Sequence, residues 1–294
     1  MRMPGGMTVA TLTPYDGEGR VDEGAAREHA AWLVEAGIRT LAPAGTTGES
    51  LYLEAEEKRR LICAAVEGAR GRAAVIAGIW ALRPAEIRDL HAAAADSGAS
   101  AVFLTTPIYY PATDDAVIAF YEFARASGPL PVYAYHIPQY AANEVSLAAL
   151  ERLAAAGTVA GIKDSTGKVE RLQALLDRFR GRLAIFGASD AMALKARQMG
   201  ADGFISALAN IFPGAFMRIW EGTGAVPSPA AVAAQASVDQ LRAAVKGYGG
   251  IAALKHLLGR RGFAFHGTRL PFQDLDSAAR AELDRVMDRS GDLG

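Results

Sequence analysis

Two patterns of apolar positions alternate along the chain. A short run rich in β-branched or aromatic residues gives way to polar residues and then to a stretch with helical periodicity; the cycle repeats through the first 207 residues. The short runs predict strands at 7–12, 40–44, 74–77, 101–105, 131–135, 159–163, 184–186 and 203–206. They are apolar throughout rather than alternating, as strands covered on both faces of a parallel sheet are. Gly37, Gly71, Gly98, Gly128, Gly157, Gly181 and Gly200 each precede a predicted strand. Glycine suits the end of a helix because it tolerates the left-handed conformation there.

Eight such units predict an α/β fold, and their short, regular spacing favours a (β/α)8 TIM barrel over an open doubly wound sheet. After Ser206 the strand signal stops, and helical periodicity continues at 214–221, 229–246, 250–260 and 277–288. That is more helix than an eighth barrel unit needs. The expected organisation is a barrel over 1–225 carrying the active site, and a C-terminal helical domain over 226–294. No low-complexity linker separates the two, so they should pack together.

Composition narrows the function. Half the residues (51%) are hydrophobic, 21% are charged and the net charge is −1. No basic cluster supplies the footprint of nucleic-acid binding, and no apolar run reaches membrane-spanning length. The N-terminus lacks the apolar core of a signal peptide, so a cytoplasmic protein is expected. Cys63 is the only cysteine, which excludes an intrachain disulfide; it reads as a small core residue. The five histidines show no metal spacing. His29, His91 and His256 fall on helices and are expected at the surface, with His136 lining the barrel mouth.

Barrel active sites sit at the C-terminal ends of the strands. That rule selects Thr13 and Tyr15, the GTTGES run from Gly45 to Ser50, Trp80 and Leu82, Pro107 to Tyr110, Tyr135 and His136, Lys163 to Ser165, Gly187 to Asp190, and Ser206 to Asn210. Among them Lys163 is the sharpest signal. The chain has six lysines against 25 arginines, and the other five, Lys58, Lys168, Lys195, Lys246 and Lys255, fall on predicted helices or their starts, where solvated positions are normal. Lys163 ends the apolar run VAGIK. Lost hydration disfavours its charged form, and a neutral amine attacks a carbonyl carbon. Position alone leaves a second reading open, a structural lysine paired with Asp164. Tyr135, ending the preceding strand, reads either as a proton shuttle beside Lys163 or as a barrel-layer aromatic. The GTTGES turn offers N–H groups and hydroxyls to a carboxylate, or caps a helix through Glu49 or Ser50. GIKDSTGK imitates a phosphate-binding loop, but its glycines are misplaced and Val169 stands where Ser or Thr is required.

The order GTTGES, TTPIYYP, YHIP, GIKDSTG, GASDAMAL, GADGFISALAN resembles the dihydrodipicolinate synthase and N-acetylneuraminate lyase superfamily over nearly the whole chain. The resemblance implies a lyase or aldolase that needs no metal or organic cofactor, acts on a 2-oxo acid and an aldehyde, and assembles as a homotetramer or at least a homodimer. It implies that Lys163 forms an imine with pyruvate, that Tyr135 shuttles protons, and that Thr46 and Thr47 bind the pyruvate carboxylate. Thr47 and Tyr109 would complete a hydroxyl relay, with Tyr109 reaching across a subunit interface, and Gly187 and Ile205 would line the pyruvate pocket.

The acceptor side departs from the synthase pattern. Synthases usually carry an arginine five residues after the catalytic tyrosine; Tyr140 stands there, and a phenol does not replace a bidentate cation. Trp80 and Leu82 occupy a loop that usually carries small and amide residues, and Arg83 adds a charge of unassigned position. Positions that bind feedback lysine in some synthases are Ala55, Lys58, Leu82 and Ile108. A bulkier, more apolar acceptor pocket is expected, with the aldehyde unassigned. An authentic 4-hydroxy-tetrahydrodipicolinate synthase and a silent oxo-acid-binding barrel are the competing readings.

Overall fold

The computed structural model describes residues 5–224 and 226–290. Eight parallel strands close into a barrel in sequence order: β1 (Gly6–Val9), β2 (Thr40–Leu41), β3 (Ala74–Gly78), β4 (Ala101–Thr105), β5 (Val132–His136), β6 (Gly161–Asp164), β7 (Ala184–Ala188) and β8 (Gly203–Ser206), with β8 pairing back onto β1. The helices between them are α1 (Glu23–Glu35), α2 (Ala55–Ala69), α3 (Pro84–Asp96), α4 (Asp114–Ala126), the short α5 (Pro138–Ala141), α6 (Leu147–Ala155), α7 (Val169–Phe179) and α8 (Ala193–Met199). After β8 follow α9 (Pro213–Glu221), α10 (Pro229–Gly247), α11 (Ile251–Gly259) and α12 (Ser277–Arg289).

The helices cover the sheet by periodicity. In α7, Leu172, Leu175, Leu176 and Phe179 are buried at i, i+3, i+4 and i+7, and in α4, Val117, Ile118, Tyr121 and Ala124 at i, i+1, i+4 and i+7; each set makes one helical stripe. Inside the barrel, large and small residues meet across paired strands. Gly161 pairs with Tyr133 and Gly203 with Phe186, and a Cβ at either glycine would stand within 2.4 Å of the facing ring. Six of the seven helix-ending glycines have positive φ. The exception, Gly128, makes room for a side chain instead: a Cβ there would lie 2.5 Å from the His91 ring.

Three expectations are corrected. His29 and His91 are buried, not at the surface. His29 Nε2 bonds the Asn210 carbonyl at 3.1 Å among Trp32, Phe263 and Phe265, and burial lowers its pKa to about 4. His91 accepts from Leu130 N–H at Nε2, which leaves Nδ1 to donate to the Ala124 carbonyl. Lys58 and Lys255 are buried rather than solvated, and Cys63 is only half-buried, against Glu67. A helical period shows that a face exists; which polar residue the next helix covers depends on packing.

The second strand is shorter than the predicted 40–44. Its apolar run continues, but Pro43 has no N–H and Ala44 takes φ 55°, so the ladder ends and the loop turns into the mouth. The C-terminal helices share the barrel's core: Val238, Leu241 and Val245 of α10 and Leu257 of α11 belong to one continuous apolar cluster with the strands. The expected division at 225/226 falls on Ala225, outside the described residues.

Candidate active site

Pairing of β5 with β6 sets Tyr135 opposite Lys163 and His136 opposite Asp164. Opposite residues of parallel neighbours face the same side, and consecutive ones face opposite sides. Lys163 and Tyr135 therefore share the barrel interior while His136 and Asp164 share the outer layer. Lys163, 7% exposed, lies with its Nζ 4.0 Å from the centroid of the Tyr135 ring and 5.8 Å from that of Phe103. It makes no ion pair among the described residues. Asp164 instead accepts from Thr166 and lies 3.5 Å from Arg171 Nε, so the alternative of a Lys163–Asp164 pair is not met.

The Tyr135 hydroxyl lies 3.3 Å from Thr46 Oγ1 and accepts from Ser165 Oγ at 3.4 Å. These contacts join three strand ends around one phenol. Trp80 packs on Tyr135 at 5.3 Å between ring centroids, and Phe103 at 5.9 Å, which closes the floor. Lys58 Nζ donates to the Trp80 carbonyl at 2.7 Å and so fixes the wall from behind.

The GTTGES loop is tied down at both ends. Thr13 Oγ1 donates to the Gly48 carbonyl at 2.6 Å. Glu49 takes the left-handed conformation (φ 58°), is buried, and pairs with Lys255 Nζ of α11 at 2.6 Å. Its other oxygen accepts the Arg269 N–H at 3.1 Å, and Arg269 grips Glu57. Tyr15 lies beneath both cations, 4.0 Å from Lys255 and 4.6 Å from Arg269, and burial with the Glu49 charge raises its phenol well above the usual range. Burial lowers the Lys255 pKa, which the Glu49 charge opposes. Glu49 is thus a loop anchor, and the cap of α2 is Glu54.

A pocket of about 1130 Å³ opens over these groups. Of the expected site residues it is lined by Lys163, Tyr135, Thr46, Thr47, Ile205, Tyr140 and Trp80. Three others lie elsewhere. Gly187 faces outward, where a Cβ would meet Ala196 and Phe204. Leu82 and Tyr109 stand on the surface at 75% and 81% exposure, Tyr109 with φ 75° and stacked edge-on against Tyr110. His136 is corrected as well: it is buried outside the mouth, accepts the Val145 N–H at Nδ1, and burial with the Arg171 and Lys168 charges lowers its pKa to about 4.

Sequence reasoning missed the wall built after β8. Arg242 and Lys246 of α10, Gly249 to Ile251 at the start of α11, and Phe272 all line the pocket. The i, i+4 spacing of Arg242 and Lys246 is readable as one helix face; its direction toward the barrel mouth is not. Asp190 lies at the same wall, buried, its pKa raised by desolvation against hydrogen bonds from Ser206 and Leu208 and the Arg242 charge.

A closed barrel with a buried lysine at the mouth, in no ion pair among the described residues, suits a lysine-dependent lyase of the barrel class. The Dihydrodipicolinate synthetase family matches residues 3–290, and the chain belongs to that family. It is 34% identical over 98% of its length to an uncharacterized DapA-like lyase of Halobacterium salinarum, covering 94% of that protein. Among solved structures it is similar to the chloride-inhibited dihydrodipicolinate synthase of Acinetobacter baumannii complexed with pyruvate: TM-score 0.92, 30% identity, 98% of this chain and 99% of that one. A sialic acid aldolase of Ruminococcus gnavus, a catalytic lysine mutant, shares the fold at TM-score 0.93 and 20% identity, over 99% and 98% of the two chains.

Proposed function

We propose that this protein makes or breaks a carbon–carbon bond between pyruvate and an aldehyde, through an imine on Lys163. The observation that carries the reading is the state of that amine: buried, free of any carboxylate, and set over Tyr135, whose hydroxyl reaches Thr46 and Ser165. The amine attacks the pyruvate carbonyl carbon, and loss of water gives the imine. The protonated imine withdraws electrons, so the methyl carbon releases a proton and becomes a nucleophilic enamine carbon. The imine is itself the electron sink, so the chemistry calls for no metal or organic cofactor. Tyr135 moves protons as the carbinolamine forms and collapses. Thr46 and Thr47 hold the carboxylate, with Ile205 beside it.

Tyr109, exposed and away from the pocket, fits a group that completes the site of a second copy, and we read the protein as a cytoplasmic homotetramer, or at least a homodimer. Likeness to a synthase structure at 30% identity favours one alternative, 4-hydroxy-tetrahydrodipicolinate synthase. Tyr140, 73% exposed, offers no bidentate cation there. Incubation with pyruvate, borohydride reduction and intact-mass and peptide analysis test the mechanism. A single adduct on Lys163 is expected; no adduct, or one elsewhere, overturns it. Strong selectivity for aspartate semialdehyde across an aldehyde panel would instead establish the synthase reading.

A further inference from the structure

Away from Lys163, the pocket carries positive charge that is held in no ion pair among the described residues, although the Arg242 charge is felt by the buried Asp190. Lys168, after β6, and Arg242 and Lys246, one turn apart on α10, all line it. None of the three makes an ion pair among the described residues. Among the described residues Arg242 donates to Ser189 Oγ, at 3.5 Å, and Ser189 holds φ 79° just after β7. The carboxylates of the same pocket are mostly committed. Glu49 is neutralised by Lys255, and Asp190 is buried and accepts the Leu208 N–H. Glu144 remains, exposed on the β5 side. In the same pocket the chain reaches Gly249 and Gly250, both with positive φ, and enters α11 with no capping side chain. The first-turn N–H groups of a helix have no partner within it, and they attract anions. Gly249, Gly250 and Ile251 line the pocket.

Resting on the imine reading of Lys163, we propose that this wall is the acceptor subsite, and that the aldehyde carries an anionic group, a carboxylate or a phosphate, held by Arg242 with Lys246 and the start of α11. The cation missing at Tyr140 is supplied from α10, which lines the same pocket. A guanidinium suits either anion, because its paired N–H groups match two oxygens. In the synthetic direction the steps are these. The enamine carbon attacks the aldehyde carbon and forms the new bond, the aldehyde oxygen takes a proton, and water hydrolyses the imine to free Lys163. The product is a 4-hydroxy-2-oxo acid with an anion at each end. Cleavage is the same sequence reversed.

The experiment compares kcat/KM for glyceraldehyde, glyceraldehyde 3-phosphate and succinic semialdehyde with pyruvate. A charged aldehyde is expected to exceed the neutral one by about tenfold or more, with the preferred charged substrate distinguishing phosphate from carboxylate. The ratio should fall toward one in Arg242→Met and in Arg242→Met/Lys246→Met, and recover in part in Arg242→Lys. Equal rates for charged and neutral aldehydes, or a preference that survives both substitutions, overturns the proposal. If no aldehyde turns over, calorimetric titration with inorganic phosphate and with succinate decides it: absence of binding, or binding unaltered by the substitutions, overturns it. The same preparations are trapped with pyruvate and borohydride. A wild-type protein without an adduct sinks the imine reading, while the anion titration still judges the subsite.

Discussion

Lys163 sits one residue from the end of a strand, and the period of two decides its surroundings: inward to Tyr135 and Phe103, with Asp164 turned outward. Lys163→Arg keeps the charge and the fold, since a guanidinium fits the same ring faces, but forms no imine. Its thermal midpoint should stay near wild type while the borohydride adduct disappears. In Tyr135→Phe the packing against Trp80 remains and the hydroxyl is lost, so imine formation should slow by roughly 10²–10⁴-fold in stopped-flow trapping. The buried histidines make a pH prediction. His29 has a folded pKa of about 4 against the usual 6.5, so the unfolded chain binds the proton first. Its contribution is complete above pH 6.5 and is lost as pH falls toward 4, by at most about 3 kcal/mol. Asp164 and Asp190, raised by burial, act in the opposite sense. A flatter decline of melting temperature between pH 6.5 and 5 is therefore expected in His29→Phe than in wild type; equal slopes would exclude His29 as the source.

At the scale of elements, the GTTGES loop is held by a helix distant in sequence, through Glu49 and Lys255. The Glu49–Lys255 pair is buried, and removing one partner leaves an uncompensated charge, which costs about 3–5 kcal/mol. Lys255→Met and Glu49→Gln should each lower the denaturation midpoint, and the double substitution should lose less than the sum of the two. Additive losses in a double-mutant cycle would show the pair to be uncoupled. The strands were legible in the chain because parallel, doubly covered strands are continuous apolar runs. All eight were found, with β4 and β8 at their observed limits. Where ends differ, as at β2, local backbone chemistry at Pro43 and Ala44 cut the ladder before the apolar run ended.

At the scale of the molecule, Leu82, Tyr109 and Tyr110 are each at least 75% exposed, and the two tyrosines are in contact. Such surface on a barrel fits an interface between copies. Tyr110→Arg should shift the sedimentation coefficient to a smaller assembly, while an unchanged coefficient would remove this surface from the interface. No helix among the described residues is long and apolar enough to cross a membrane. The sequence by itself determined the barrel, the order of its strands and the position of the lysine, because hydrophobic period and strand-end rules are local. Tertiary structure alone decided which polar residues the helices bury and which wall carries charge. Those depend on how α10 and α11 lie against the mouth, and no period of two or 3.6 encodes that direction. The Lys163 side of the pocket is built from strand ends, and a strand map reaches it. The wall proposed for the acceptor comes from the C-terminal helices, where folding brought Arg242 and Lys246 to the pocket that Tyr140 also lines.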